Sequence, residues 1–252
     1  MINLTPVMRL ALLLVRPGAL LTFAPAFGGS YAPAQIKIGL TVFIAIALLP
    51  TTPLPAVGDP LPLALVVARE VAIGFALALA LRALVAGAEL AGHLAGYQLG
   101  LSYGATVDPQ SGVRNPLLTV LYGNLAIVTF LLVGGHHAFL RALHQSFVDL
   151  PVGLGRIDGS LPETVATMLA VVFQLGLRLA MPVVVVLTLA EVAMALVARA
   201  APALNLMAVG APLRLIVGLL ILPLGVSAVV ALVSGASDSI VHLALRAAGA
   251  FR

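Results

Sequence analysis

Eight ionisable side chains lie inside apolar stretches of this 252-residue sequence, where a charge is costly. They are Arg16, Arg69, Glu70, Arg82, Glu89, Arg178, Glu191 and Arg214. At membrane depth such groups line a proton relay or an aqueous path, or they pair with each other, reach the interface or pair with partner subunits. The eight are spread over the apolar stretches and converge on no motif, which favours pairing over proton transfer. Arg82 and Glu89, seven residues apart, can share a helix face and predict one such pair.

The other residue types that carry chemistry form no catalytic pattern. His136, His137 and His144 have no carboxylate beside them, and their spacing matches no standard zinc site. The sequence has no cysteine, no Gly-x-Ser-x-Gly nucleophile elbow, no paired carboxylates and no phosphate-binding loop. We therefore expect no enzymatic activity, no cofactor and no metal ion.

Composition predicts a protein of a membrane or a membrane complex. Hydrophobic residues make up 62% of the chain and charged residues 9%, whereas soluble domains carry about 25% charged residues. There is no tryptophan and there are only four tyrosines, so the aromatic belts of a membrane protein are thin. We therefore expect part of the apolar surface to meet protein. The net charge of +4 comes from basic residues scattered singly, which does not indicate a nucleic-acid partner.

The elements that must position these groups are apolar stretches, all predicted to be helices. They cover residues 7–27, 36–49, 63–86, 117–133, 162–197 and 213–233. The first lacks a cleavage motif and is expected to be a retained helix. The linker at residues 50–62 has no lysine or arginine, which favours the non-cytoplasmic side. No strand pattern and no internal repeat appears, so the chain is predicted to be all-α.

Two amphipathic segments follow the apolar stretches. One carries His137, Arg141 and Gln145 on one face, and the other forms the tail of the chain. In the tail, Asp238, His242 and Arg246 recur at the same spacing of four residues.

Four glycines at a spacing of four residues predict very close helix packing. Gly92, Gly96, Gly100 and Gly104 lie in a helix expected over residues 87–104. Each costs about 1 kcal/mol relative to alanine in a helix interior, and small residues at this spacing let helices approach closely in membranes. We expect a neighbouring subunit to pack there. A polar loop follows, with a proline near each end: Asp108, Pro109, Gln110, Ser111, Gly112, Val113, Arg114, Asn115 and Pro116.

Short motifs in order along the chain resemble the FliR family, the export-apparatus subunit of bacterial flagella with SctT-type counterparts in injectisomes. Residues 96–103 read GYQLGLSY, and Val-Asp-Pro follows at residues 107–109. The matching positions further along the chain are His136 after two glycines, then Arg199, Pro202, Asn205, Gly210 and Pro212. Ala203 departs from the family pattern, which has glutamine there, and His93 stands where many members have glutamate.

The resemblance implies a fold and a function that composition does not. Members of the family assemble with FliP-like and FliQ-like subunits into a helical export gate through which unfolded proteins pass, and FlhB-like and FlhA-like components are further expected partners. Their helices form kinked hairpins stacked helically with the partner subunits. The loop at residues 105–116 matches the family's plug. The expectation is thus one domain over residues 1–252, multi-pass in the bacterial inner membrane, in the flagellar basal body.

Two alternatives stay open at this point. A stand-alone permease for small solutes would also be apolar and helical, but it would be expected to show paired broken helices at mid-membrane, which the sequence lacks. The choice between a flagellar and an injectisome system is also open. The motifs at residues 96–103 and 107–109 are closer to the flagellar form.

Overall fold

The computed structural model describes residues 5–28, 32–50, 52, 60–101, 117–153, 161–200 and 206–251. Within these ranges all regular secondary structure is α-helical, which confirms the predicted all-α class. The described helices are α1 Thr5–Phe23, α2 Ala34–Leu48, α3 Pro60–Gln98, α4 Leu117–Leu132, α5 Gly135–Asp149, α6 Leu161–Ala200 and α7 Leu206–Gly249.

Prolines inside the helices do not end them. Pro17 lies within α1, Pro182 within α6, and Pro223 within α7. An interior proline removes one backbone hydrogen bond, and membrane-protein helices tolerate it because neighbouring groups satisfy the freed carbonyl. As a result α7 continues from the apolar stretch at residues 213–233 into the amphipathic tail as one helix.

The observed bounds of helix α3 show that one sequence prediction is wrong. We expected an apolar helix over residues 63–86 and a separate glycine-rich helix over residues 87–104, whereas one helix runs from Pro60 to Gln98. Gly87 does not interrupt this helix. The absence of a side chain at Gly87 instead allows α3 to contact α6 closely. A β-carbon placed there would lie 2.9 Å from the Leu175 β-carbon and 3.2 Å from the Val172 carbonyl oxygen in α6.

The end of α3 explains why the glycine-rich helix is shorter than expected. Gly100 has a φ of +75°, a left-handed conformation that glycine adopts without strain. The Leu101 amide donates to the Gly96 carbonyl at 3.0 Å, and the Gly100 amide donates to the Tyr97 carbonyl at 3.0 Å. This pair of hydrogen bonds is a Schellman motif. Gly100 therefore terminates the helix instead of extending the packing stripe.

We predict that Gly100→Ala destabilises the chain by about 1–2 kcal/mol, the cost of a left-handed conformation for a residue with a β-carbon. The matched control is Gly39→Ala. Gly39 lies in α2 with no atom within 4 Å of an added β-carbon, so alanine there is expected to be neutral or stabilising. Unfolding midpoints of the purified chain in detergent measure both. An equal response of the two variants would contradict the capping role.

Three described helices are long and apolar enough to cross a membrane. These spans are Leu63–Gln98, Pro162–Ala200 and Pro212–Ala236, and α4 with α5, bent by 73°, can form a fourth. The most apolar window of the first span is 67% buried within the chain, but those of the other two are only 17% and 22% buried. The apolar faces of α6 and α7 must therefore meet lipid or other subunits.

The chain forms two compact units, each made of separate stretches of sequence. The first, unit 1, comprises Met1–Ala83, Leu131–Leu169 and Ala236–Arg252. The second, unit 2, comprises Leu84–Phe130 and Ala170–Gly235. In unit 2 a buried apolar cluster joins α3, α4, α6 and α7 through Ala95, Leu99, Leu118, Val183, Leu187 and Ile221. The single domain over residues 1–252 stays a prediction.

Candidate functional site

A buried arginine ties three helices together in unit 1. The Arg16 side chain of α1 is 0% exposed, and its Nε donates to Glu70 Oε2 of α3 at 2.8 Å. Its Nη1 donates to the carbonyl and the hydroxyl of Ser146 at 2.7 and 3.0 Å, and its Nη2 donates to the Leu150 carbonyl at 2.9 Å. The guanidinium carbon lies 4.1 Å from the centre of the Phe147 ring.

The partners of Arg16 show why a charge is tolerated there. The Ser146 and Leu150 carbonyls lie at the C-terminal end of α5. The Ser146 carbonyl also accepts the Leu150 amide at 3.0 Å, and the last carbonyls of a helix have no partner further along it, so Arg16 caps the end of α5. Glu70 also accepts the Gly153 amide at 3.4 Å.

The geometry assigns Arg16 a structural role instead of a proton-transfer role. Arginine does not release its proton in proteins, and the Arg16 donors are held by a carboxylate and two carbonyls. The hypothesis that charges within the apolar stretches pair with one another is therefore confirmed for Arg16 and Glu70.

Gly74 allows α1 and α3 to approach closely enough for this pair. It lies one turn after Glu70, and a β-carbon placed on it would lie 2.5 Å from the Arg16 carbonyl oxygen and 2.8 Å from the Ala19 β-carbon. Sequence reasoning missed Gly74 and Ser146. The spacing of Gly74 four residues after a buried glutamate is a signal that could have found it.

A second ion pair lies in unit 2. Arg214 Nη2 of α7 is 2.9 Å from Glu191 Oε1 of α6, and the two side chains are 31% and 36% exposed. Both residues were among the eight charges noted in the apolar stretches. The pairing of Arg82 with Glu89 stays a prediction.

At Gly92 the glycine stripe contacts another helix of the same chain, and the packing of a neighbouring subunit on the stripe stays a prediction. A β-carbon placed there would lie 2.8 Å from the Thr119 α-carbon of α4 and closer still to the Leu118 carbonyl. The backbones of α3 and α4 are therefore in direct contact. Gly96 is buried one turn further along, Gly100 ends the helix, and Gly104 lies outside the described residues.

The other predicted site residues are only partly covered by the structure. The whole loop from Asp108 to Pro116, together with Pro202 and Asn205, lies outside the described residues. Arg199 is exposed in the last turn of α6. A β-carbon placed on Gly210 of α7 would lie 3.8 Å from the Met194 sulfur of α6, and Pro212 is exposed within α7.

His136 lies in the first turn of α5, two residues after Gly134, which has a φ of +81°. Its ring centre is 4.0 Å from that of His137, and its buried Nδ1 has no hydrogen-bond partner among the described residues. Within the same ranges no group of three or more histidine, aspartate or glutamate side chains is arranged to hold a metal ion.

These features define a class: an all-α, membrane-embedded chain whose buried charges tie its helices together and whose long apolar faces are left for lipid or other subunits. Residues 7–240 match the family model described as bacterial export proteins, family 1. The chain belongs to that family, and the resemblance to FliR proteins is confirmed.

Individual relatives agree with the family match. The flagellar biosynthetic protein FliR of Escherichia coli K12 is 32% identical over 207 residues, which cover 82% of this chain and 79% of the relative. FliR of Bacillus subtilis 168 is 29% identical over 84% of this chain and 83% of its own length. The secretion system apparatus protein SsaT of Salmonella typhimurium LT2 is 25% identical over 84% of this chain and 85% of its own length.

Proposed function

We propose that this chain is a structural and gating subunit of a bacterial type III protein export channel, and specifically of the flagellar export gate. The match to the export family over residues 7–240 carries the proposal. The similarity to FliR of Escherichia coli over most of both chains supports the flagellar system. FliP-like and FliQ-like subunits would be its direct partners in the inner membrane, with FlhB-like and FlhA-like components nearby and unfolded substrate proteins in transit.

The exposed faces of α6 and α7 support a role within a larger assembly. In unit 2 both helices present large apolar side chains outward, among them Leu189, Leu196, Leu220 and Leu224. Apolar patches of this extent mark interaction surfaces with protein or lipid. Neighbouring gate subunits would bury them, which agrees with the thin aromatic belts of the sequence.

The anchoring of the segment between α3 and α4 supports a plug role for Asp108–Pro116. One end of the segment follows the helix cap at Gly100, and the other leads into Leu118, whose backbone lies against Gly92. Leu99 and Leu118 also belong to the same buried cluster. The segment between α3 and α4, which contains this loop, therefore starts and finishes on two helices in direct contact, and a plug needs such a fixed attachment.

Deleting Gln110–Asn115 is expected to raise the ion conductance of the assembled gate, because an obstruction is removed while its stem stays in place. The measurement is conductance of the purified multi-subunit complex in planar bilayers. The control is a deletion of the same length, residues 54–59, in the linker between α2 and α3.

Both deletion variants must first co-purify with the partner subunits. Unchanged conductance of an intact complex that lacks residues 110–115 would contradict the plug. A rise of equal size in both variants would show a general loosening of the complex and would contradict it as well.

A further inference from the structure

We propose that a basic groove on unit 1 binds the phosphate headgroup of an anionic phospholipid. The basic groove is defined by two helices: α5 and the last turns of α7. Two adjoining cavities of about 380 and 280 Å³ form it, and they share His242 and Leu245. The polar residues along it are Arg141, Gln145, Asp149, His242 and Arg246.

The charge of the basic groove suits an anion. Arg141, His242 and Arg246 are exposed, and none of the three has an ion-pair partner in the described ranges. The opposing charge is Asp149, which accepts a hydrogen bond from Gln145 Nε2 at 3.0 Å. Among the described residues that line the two cavities, two arginines and a histidine thus face one carboxylate, and the arginine fork matches the oxygen pair of a phosphate.

Hydrogen bonds from the buried Arg16 hold the α5 wall of the basic groove in place. Ser146 and Leu150 line the smaller cavity, and their carbonyls accept hydrogen bonds from Arg16. The α5 wall is therefore fixed before any ligand arrives. Preorganisation of this kind lowers the entropy cost of binding.

The position of the groove along the chain favours a lipid over an acidic protein segment. Each wall follows an apolar helix: α5 comes directly after α4, and the tail of α7 follows the span Pro212–Ala236. His242 and Arg246 are six and ten residues beyond that span, or about 9 and 15 Å along the helix. A long arginine side chain reaches back from there to the headgroup level.

An apolar side chain beside the groove suits the remainder of a lipid. Val148 of α5 is exposed, and at seven residues from Arg141 it lies on nearly the same face of the helix. An acyl chain would cover it while the phosphate contacts the arginines. An acidic peptide would satisfy the charge but would leave this apolar neighbour unused.

The test compares lipid binding by the purified full-length chain and by variants, using native mass spectrometry in detergent. The probes are phosphatidylglycerol and phosphatidylcholine. The double variant Arg141→Gln/Arg246→Gln is expected to bind phosphatidylglycerol about thirtyfold more weakly than the unmodified chain, from two arginines near the headgroup surface. Its affinity for phosphatidylcholine is expected to be unchanged. Asp149→Asn is expected to bind phosphatidylglycerol severalfold more tightly, because it removes the opposing charge.

The matched control is Arg199→Gln, which also removes an exposed arginine from the last turn of a long helix and should leave phosphatidylglycerol binding within twofold. Circular dichroism confirms that each variant is folded. Equal phosphatidylglycerol affinity of the double variant and the unmodified chain would overturn the proposal. Displacement of the lipid by equimolar inorganic phosphate would assign a free-anion site instead, and displacement by a glutamate-rich peptide would assign a protein partner. The result does not depend on the proposed export function.

Discussion

Replacing Glu70 by leucine is expected to lower the free energy of unfolding by about 3–5 kcal/mol, the cost of removing one partner from a buried ion pair. Arg16 would stay buried with its Nε unpaired, because its other donors remain bound to the C-terminal end of α5. The loss should appear as a lower unfolding midpoint of the purified chain in detergent. Weaker co-purification with gate subunits should accompany it.

Two variants separate charge burial from loss of a side chain. Glu191→Leu removes the same group from a pair in which both side chains are about one-third exposed, and such pairs contribute about 1 kcal/mol or less. In the double variant Arg16→Met/Glu70→Leu the stranded charge is gone, so part of the lost stability should return. If Glu70→Leu and Glu191→Leu cost the same, the proposed tie between α1, α3 and α5 is wrong.

Gly92→Ala is expected to destabilise the chain by about 3 kcal/mol, at the upper end for overpacking. The added β-carbon would meet the α4 backbone at Leu118 and Thr119, and backbone cannot rotate away as a side chain can. The whole of α4 must shift, and with it the stem of the loop after α3. Unfolding in detergent measures the stability, and gate conductance reports whether the loop still obstructs the pore.

Two control substitutions test whether the loss of stability at Gly92 comes from contact with the α4 backbone. Gly39→Ala adds the same methyl group to a helix interior with open space around it, so no loss is expected. Gly218→Ala would meet the tip of the Leu99 side chain, which can change rotamer, so a smaller loss than at Gly92 is expected. A loss at Gly92 no larger than that at Gly218 would contradict the direct backbone contact.

The helices could be predicted from the sequence because apolar runs of this length have few other structures available in a membrane. The end of α3 could not, since a glycine at the right spacing serves equally well as a packing residue or a helix cap. A packing glycine keeps the negative φ of the helix, whereas a capping glycine has a positive φ. Gly100 has the capping conformation, in which the Gly96 and Tyr97 carbonyls accept hydrogen bonds from the Leu101 and Gly100 amides. The four-residue spacing alone therefore overestimated the length of the helix.

The residues of the two observed ion pairs were predicted as members of a set of charges, but neither pair was predicted. Arg16 and Glu70 are 54 residues apart, and nothing local in either segment selects the other. The choice depends on the approach of α1 to α3 at Gly74 and on carbonyls at the end of α5. Backbone acceptors carry no sequence signal, which is why the α5 end of the site was missed.

The positions of the Arg16 partners along the chain determine the order in which its contacts can form during synthesis. Its carbonyl acceptors at Ser146 and Leu150 are 130 and 134 residues later in the chain. At about 5–20 residues per second of translation, the ribosome needs roughly 7–27 s to make them after Arg16 has emerged. Glu70 follows Arg16 by only 54 residues, so the ion pair between α1 and α3 can form while α5 is still unmade. The contacts of Arg16 with α5 must come later, and α1 therefore completes its hydrogen bonds only after α5 has been made.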